Sequence, residues 1–491
     1  MKTKTAFYLG LSFLSIGSTI LPQIAIAKPT KNNKKPNVLF LLTDDQTYNT
    51  INALGNKEVH TPNMDRLVKR GMSFTQTHVM GATNGAVSMP SRAMLMTGMY
   101  LSNIHQDGRI IPNGEKTFPE VFRENGYTTF ATGKWHSDKA SFNRSFSTGA
   151  NIFFGGMHPY NTNGHFNPFL HEYDPKGEYK SGKYVEKYSS VCYADAAVDF
   201  LETKKSKEPF LMYIAFTSPH DPRTPPAEYG KKYTNDDIDL PLNFLLEHPF
   251  DNGDLRERDE LIIPIPRNPD SVKKEIALYY GMVSEVDVQI GRILDALEAK
   301  GDLDNTIIVF AADNGLAVGQ HGLLGKQNLY EHSSKVPLVI SGPGILQDAR
   351  NEAFCYLLDI YPTLCDLAGI KIPGTVNGIS LKNALDTGQP KGRESIFLSY
   401  INIQRAIKKD NYKLILYNVK GDRRVQLFDL STDPWERDNL ADMPAHKNLV
   451  NELTQLLYAE MKAKGDFCEP DKPDWGYPSK LTWDEALKIN P

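Results

Sequence analysis

The sequence predicts an α/β fold: a large mixed, mostly parallel sheet sandwiched by helices, with a smaller C-terminal α+β subdomain behind it. Three observations predict it. The apolar runs NVLFLL (37–42), YTTFAT (127–132), PFLMYIAF (209–216) and TIIVFAA (306–312) lack the polar alternation of a half-exposed strand, so they read as strands buried on both faces. Helical periodicity at 63–70, 118–125, 194–203 and 272–300 lies between them and supplies the covering layers. After Leu381 the texture shortens to ESIFLSY (394–400), NYKLILYN (411–418), QLFDL (426–430) and a helix around 447–464. The expected organisation is therefore a main domain over 28–381 and a second unit over 382–491.

The first 27 residues read differently. Lys2 and Lys4 precede an apolar run from about residue 6 to residue 26, and AIA stands before Lys28, the pattern of a cleaved signal peptide over 1–27. The expectation is a soluble exported protein, periplasmic in a bacterial cell. No cysteine stands directly after the cleavage point to take a lipid, and no later apolar run is long enough to span a bilayer. The formal net charge of -4 leaves no electrostatic footprint for nucleic acid or an acidic membrane surface. Cys192, Cys355, Cys365 and Cys468 are too scattered for a disulfide framework or a zinc site. There is no internal repeat, low-complexity segment or long charge run.

The strands end in chemistry. Asp44 and Asp45 follow the first run, Lys134 and His136 the second, His220 the third, and Asp313 and Asn314 the fourth. In open α/β sheets the ligand crevice lies beyond the carboxyl ends of the strands, so these residues are expected to converge. Taken singly, Asp-Asp and Asp-Asn-Gly are ordinary turn sequences. Together, three carboxylates and an amide form an all-oxygen set that suits a hard divalent cation such as calcium and suits zinc poorly. His136 and His220 become candidate proton donors beside that edge. The stretch NGAVSMPSR (84–92) reads as a helix start, with Ser88 as N-cap, Pro90 in the first turn and Gly98 at the end. A helix N-terminus also receives an anion, and Arg92 strengthens that preference.

These residues resemble the type I sulfatases of the alkaline-phosphatase-like superfamily. The resemblance is carried by PNVLFLLTDDQ (36–46), TPNMDRLVKRGMSFTQTH (61–78), SMPSRAMLMTG (88–98), GYTTFATGKWH (126–136), SPHDP (218–222), ADNGLAVGQHGLLGK (312–326) and LFDLSTDPWERDNLA (427–441), and it spans most of the chain after residue 27. It implies that Ser88 is converted to Cα-formylglycine (3-oxoalanine) by a maturing enzyme that recognises Pro90 and Arg92. Most members carry cysteine at this position; serine implies the serine-type maturase pathway of bacteria. It further implies one calcium ion held by Asp44, Asp45, Asp313, Asn314 and the modified Ser88. It likewise implies that Arg92, Lys134, His136, His220 and Lys326 hold the modified side chain and the sulfate. His220 is assigned to the leaving group and His136 to the formylglycine side. The implied activity is sulfuric ester hydrolysis on a sulfated carbohydrate, a glycan or glycosaminoglycan fragment.

Specificity is expected in two long insertions rimming the pocket, 137–190 and 221–270. Tyr160, Phe166 and Phe169 are candidate platforms for a sugar ring, and His105 or Gln106 candidate hydrogen-bond partners, although each aromatic also reads as loop packing. Three other readings stand beside the sulfatase one. They are a phosphomonoesterase or phosphodiesterase of the same superfamily using Ser88 directly, a non-catalytic glycan-binding relative, and a structural cell-surface protein. The first wants a second metal with histidine ligands that the sequence does not display. The others lose ground because every expected catalytic position is filled and neither repeats nor an anchor are present.

Overall fold

Strand Asn37–Thr43 is buried at every position because it pairs in parallel on both sides, with Thr306–Ala312 and with Phe210–Ala215. Its side chains divide by the period of two. Val38, Phe40 and Leu42 enter one core layer with Leu95 and Met96 of helix Ser88–Thr97, Phe118 and Leu364. Leu39 and Leu41 enter the opposite layer with Tyr193 and Ala197 of helix Ser189–Thr203 and Val283 and Ile290 of helix Pro269–Ala299. An apolar run without alternation is the sequence trace of this two-sided burial. The computed structural model in which these contacts are seen describes residues 34–473 and Trp475. The expected signal peptide, 1–27, lies outside the described residues.

The ten-stranded sheet runs Ala349–Asn351, Met72–Phe74, Leu338–Ser341, Thr306–Ala312, Asn37–Thr43, Phe210–Ala215, Thr128–Lys134, Thr148–Phe153, Phe169–His171 and Gly182–Tyr184. The strands from Thr306–Ala312 to Thr148–Phe153 are parallel, and antiparallel pairs flank them. Register sets the site. Thr43 lies opposite Ala312, and Leu42 opposite Ala215, so the carboxyl ends of the central strands finish level with one another. Gly133 permits the close approach of the neighbouring strand: it sits at φ 90°, and a Cβ there would stand 2.0 Å from the Ala215 carbonyl oxygen. Lys134 is thus the last residue of its strand rather than part of the loop that follows.

The 137–190 insertion is more regular than the sequence reading allowed. It contains helix Lys139–Ser145 and three strands that extend the sheet, Thr148–Phe153, Phe169–His171 and Gly182–Tyr184. Short edge strands are partly solvated and rich in polar and glycine residues, so they carry no continuous apolar run to recognise.

A second, five-stranded sheet runs Asp422–Asp429, Tyr412–Val419, Gln404–Lys409, Ser395–Tyr400 and Gly81–Ala82. Its last strand comes from the chain just before Ser88, in parallel with Ser395–Tyr400. Near the boundary expected after Leu381, the side chains of Leu381, Ala384 and Leu385 are buried in the main core, and the second sheet takes up the chain at Ser395. Strand Gln404–Lys409 escaped the sequence reading because QRAIKK is polar at four of its six positions. Those polar side chains are engaged. Lys408 lies 2.7 Å from Glu331 of the short helix Glu331–Ser334, which Lys413 of the neighbouring strand also reaches at 3.0 Å, and Lys413 lies 2.9 Å from Glu436, so an ion cluster joins this sheet to that helix. Helix Lys447–Ala463 covers the outer face with Leu453, Leu457 and Met461 against Ile407, Leu414 and Leu427. The four cysteines are buried and unpaired, and among the described residues no helix is long and apolar enough to cross a membrane.

The long helix carries one carboxyl in the core. Glu285 is 1 % exposed, accepts a hydrogen bond from Gln289 at 2.8 Å, and keeps Oε2 without a partner. Burial pushes its pKa up to about 8. The folded state therefore holds this proton more tightly than the unfolded chain, so the contribution is full below the ordinary carboxyl pKa and is lost as pH rises towards 8. Glu285→Gln, which mimics the neutral acid, is expected to melt near wild type at about pH 4 and to become more stable than wild type towards pH 8, by on the order of a few kcal/mol. Thermal unfolding across that range checks it; a constant difference between the two proteins would contradict a buried titration.

Candidate active site

Four strand ends and one helix build the site. Ser88 opens helix Ser88–Thr97, whose ten residues are all buried and whose C-terminus closes on Gly98 in the left-handed conformation. The capping expected of Ser88 is not what its side chain does. Ser88 lies inside the first turn after Val87, which carries no side-chain cap, and its Oγ donates instead to Asp44 Oδ1 at 3.2 Å and approaches Asp45 Oδ1 at 3.5 Å. As a cap the hydroxyl oxygen would accept a backbone N–H; here the hydroxyl instead donates its proton towards two charged carboxylates, the stronger acceptors.

Asp44 and Asp45 follow their strand directly, and the Asp45 N–H donates to Asp313 Oδ1 at 3.1 Å across the level strand ends. Asp45 adopts φ 62°, a strained conformation for a non-glycine residue. Tyr279 holds it there: its hydroxyl donates to the Asp45 carbonyl at 2.6 Å and accepts the Thr47 N–H at 3.0 Å. Asn314 is buried beside Asp313, with its amide nitrogen engaged by the Gly315 carbonyl.

Three cations face the carboxylates. Arg92 donates Nε to Asp313 Oδ2 at 2.7 Å and Nη1 to the Lys134 carbonyl at 2.9 Å. Its Nη2 is buried without a hydrogen-bond partner, 3.8 Å from Asp44. Lys134 Nζ donates to Asp44 Oδ2 at 2.7 Å, and Lys326 Nζ donates to Asp45 Oδ2. Lys326 stands on a loop pinned from beneath. Glu260 accepts the Leu324 and Gly325 N–H groups, each at 2.9 Å, and is itself held by the fully buried Arg267. Gln327 joins that loop to the chain before Ser88, accepting the Lys326 N–H at 2.9 Å and donating to the Gly85 carbonyl at 3.1 Å.

The electrostatics follow from this crowding. Burial alone would raise Asp44, but Lys134, His220, Arg92 and Lys326 hold it well below the ordinary carboxylate range. Asp313 goes the other way: burial and the charges of Asp44 and Asp45 outweigh Arg92 and push it up. Burial first, and then the neighbouring carboxylates, thus disfavour the ionised form of Asp313, a condition that a bound cation would relieve. Single donor atoms of Asp44, Asp45 and His220 lie within 4.8 Å of one another. The donor set of carboxylates and an amide fits a hard divalent ion, while His220 would contribute the only nitrogen.

The histidines differ in state. Burial and Lys326 oppose protonation of His220, but Asp221, Asp45 and Asp44 outweigh them and raise its pKa. His136, at φ 66°, is driven well below its ordinary value by burial and the charges of Lys134 and Arg92, and its Nδ1 lacks a partner. One ring is disposed to carry a proton and the other to stay neutral.

The structure therefore brings Asp44, Asp45, Ser88, Arg92, Lys134, His220, Asp313 and Lys326 into one set of contacts. Sequence reasoning left out Asp221, Tyr279, Glu260 and Arg267. Asp221 had a signal, its place within SPHDP; the other three act from distant segments whose approach only the fold reveals. Of the proposed platforms, Tyr160 is 57 % exposed, with its hydroxyl on Asp221 at 3.0 Å. Phe166 packs edge-on against Tyr188, and Phe169 packs against His171 and Tyr184, so both serve the loop. His105 is exposed and Gln106 half-buried, on a turn that packs against the Ser88–Thr97 helix at Gly108.

A buried hydroxyl at a helix start, a hard-cation donor set and a ring of cations define a hydrolase of anionic esters on an alkaline-phosphatase-like fold. The profile described as "Sulfatase" matches residues 36–370, well over half of the sequence, and the chain belongs to the sulfatase family, the sulfuric ester hydrolases. A second profile, "N-sulphoglucosamine sulphohydrolase, C-terminal", matches residues 319–463. The N-acetylglucosamine-6-O-sulfatase of Bacteroides thetaiotaomicron is 28% identical, over 95% of this chain and 92% of its own length. The arylsulfatase of Clostridium perfringens is 28% identical, over 90% of this chain and 98% of its own. Among solved structures, a protein in complex with its substrate D-glucosamine-2-N,6-O-disulfate superposes with a TM-score of 0.74 at 24% identity, covering 90% of this chain and 100% of that one. The phosphonate monoester hydrolase of Agrobacterium radiobacter gives 0.70 at 22% identity, over 87% and 96%. These two likenesses are of fold.

Proposed function

We propose that the chain removes sulfate from a sulfated carbohydrate, using formylglycine made from Ser88 by a serine-type maturing enzyme and one calcium ion. The observation that carries this reading is the placement of Ser88 Oγ, 3.2 Å from Asp44 and 3.5 Å from Asp45, in a ring closed by Arg92, Lys134 and Lys326. The carbohydrate class is supported by relatives named as an N-acetylglucosamine-6-O-sulfatase, an ulvan-active sulfatase and a Δ4,5-hexuronate-2-O-sulfatase. A periplasmic location of the mature protein is supported by the signal-peptide pattern at 1–27, and cell fractionation tests it.

In this reading Asp44, Asp45, Asp313, Asn314 and the residue-88 side chain would hold the ion, and the ion would supply positive charge beside residue 88. Hydrated formylglycine supplies two hydroxyls on one carbon, one to attack sulfur and one whose deprotonation expels sulfate; a serine ester lacks that escape. Arg92 and Lys134 receive the sulfuryl oxygens, Lys326 offsets charge on the bridging oxygen, and the raised pKa of His220 suits it to protonate the departing alcohol. His136, which burial and the charges of Lys134 and Arg92 hold neutral, is assigned to the formylglycine side.

Release of sulfate and of phosphate measured side by side, with and without a co-expressed serine-competent maturase, tests the reading. Sulfate release only with the maturase is expected; phosphate release from unmodified protein would favour direct use of Ser88. Elemental analysis is expected to find one calcium per chain, and chelation to cut activity and lower Tm together. Stoichiometric zinc in active protein would contradict the donor-set argument.

A further inference from the structure

Asp221 belongs to no assigned set, yet it sits at the centre of the contacts around His220. Its Oδ1 lies 3.0 Å from His220 Nδ1, and the same ring nitrogen lies 2.8 Å from the Asp221 carbonyl oxygen. Two acceptors on one nitrogen make Nδ1 the protonated donor, so Nε2 is the nitrogen left to face the site, 3.5 Å from Asp45 Oδ2. The main chain is held as firmly. His165 Nε2 bonds the His220 carbonyl at 2.9 Å, and Ser189 bonds His165 Nδ1 at 3.0 Å.

The Asp221 carboxylate is itself oriented from the rim. Arg258 Nη2 donates to Oδ1 at 3.1 Å and the Tyr160 hydroxyl donates to Oδ2 at 3.0 Å. Asp221 is 6 % exposed, whereas the Arg258 side chain is 47 % and Tyr160 57 % exposed. Tyr160 comes from the 137–190 insertion and Arg258 from the 221–270 insertion, so one buried carboxylate ties both specificity loops to one ring. A carboxylate buried without a catalytic partner would be an expensive way to join two loops.

We propose that Asp221 is a positioning residue for His220: with Tyr160 and Arg258 it fixes the tautomer and ring plane that present Nε2–H to the leaving oxygen. The inference rests on the reading of His220 as the leaving-group acid. As the S–O bond breaks, its electron pair stays with the alcohol oxygen, which takes the proton from Nε2 while Nδ1–H stays on Asp221. An unactivated sugar alcohol needs that proton; a nitrophenolate does not.

The test compares wild type, His220→Ala, Asp221→Asn and Tyr160→Phe, all matured, on a sulfated monosaccharide and on 4-nitrophenyl sulfate. For the sugar ester, kcat is expected to fall ~10²–10⁴-fold in His220→Ala, ~10–100-fold in Asp221→Asn and a few-fold in Tyr160→Phe, with KM little changed. For the nitrophenyl ester the losses in His220→Ala and Asp221→Asn are expected to stay below about tenfold, and Tyr160→Phe is expected to turn over like wild type. Equal losses on both esters in His220→Ala would overturn the acid assignment itself. If His220→Ala discriminates but Asp221→Asn and Tyr160→Phe lose equally on both esters, or on neither, His220 stands and the positioning role of Asp221 falls. Tyr160→Phe deletes one hydroxyl at a half-exposed ring, so it carries the comparison even where Asp221→Asn fails to fold.

Discussion

Ser88→Ala is expected to lower sulfate release by at least ~10⁴-fold while leaving the fold in place. The two outcomes separate because the Ser88 side chain does no structural work in its helix. It makes no cap bond, and alanine is a better helix former than serine. Asp44 loses one donor but keeps Lys134 at 2.7 Å, and Asp45 keeps Lys326, so neither carboxylate is left bare. The stability change should stay within about 1 kcal/mol, the range of an ordinary substitution. Chemistry is lost outright, since a methyl group neither attacks sulfur nor becomes an aldehyde by the maturase route. Thermal unfolding and kcat measured on the same preparation check both halves. Ser88→Cys should recover activity only in a host whose maturase accepts cysteine.

Arg92→Ala should damage both at once. The guanidinium is 2 % exposed and hydrogen-bonds Asp313 at 2.7 Å and the Lys134 carbonyl at 2.9 Å, with Asp44 3.8 Å from Nη2. Removing it strands the Asp313 carboxylate, already pushed up by burial and by Asp44, in a site that loses a positive charge. Breaking a buried pair in this way costs about 3–5 kcal/mol. The same change deletes the unpartnered Nη2, the donor left over for a sulfuryl oxygen, for a further ~10²–10³-fold in kcat. Arg92→Lys discriminates between the two effects. A lysine keeps the charge and should recover part of the stability, but one ammonium cannot reproduce a fork that reaches Asp313 and the Lys134 carbonyl together, so turnover should stay low. Wild-type kcat in Arg92→Lys would show that charge alone suffices there.

How much of this was legible in the sequence depended on range. Continuous apolar runs disclosed the central strands because two-sided burial removes polar alternation, and Thr306–Ala312 is found where TIIVFAA placed it. Polar residues at strand ends disclosed the carboxylate set because parallel strands deliver their carboxyl ends to one edge. The extent of the sheet was hidden, since edge strands such as Gly182–Tyr184 look like loop. So was the capture of Gly81–Ala82 by the C-terminal sheet, a pairing across more than three hundred residues that no local pattern encodes. Local chemistry misled at Ser88, where a good capping residue in a good capping position turns instead towards two carboxylates from another strand. Tyr279 shows the same limit: within the long helix it reads as core, and only the fold reveals it gripping Asp45.

The proposed function requires residue 88 to work as formylglycine and not as serine. The most direct measurement is the mass of the peptide containing Ser88–Arg92, taken on protein made with and without a serine-competent maturase, beside sulfatase activity on the same samples. The account predicts a peptide lighter by two hydrogens only with the maturase, and activity proportional to the modified fraction. Full turnover of sulfate esters by protein whose peptide is wholly unmodified would contradict it.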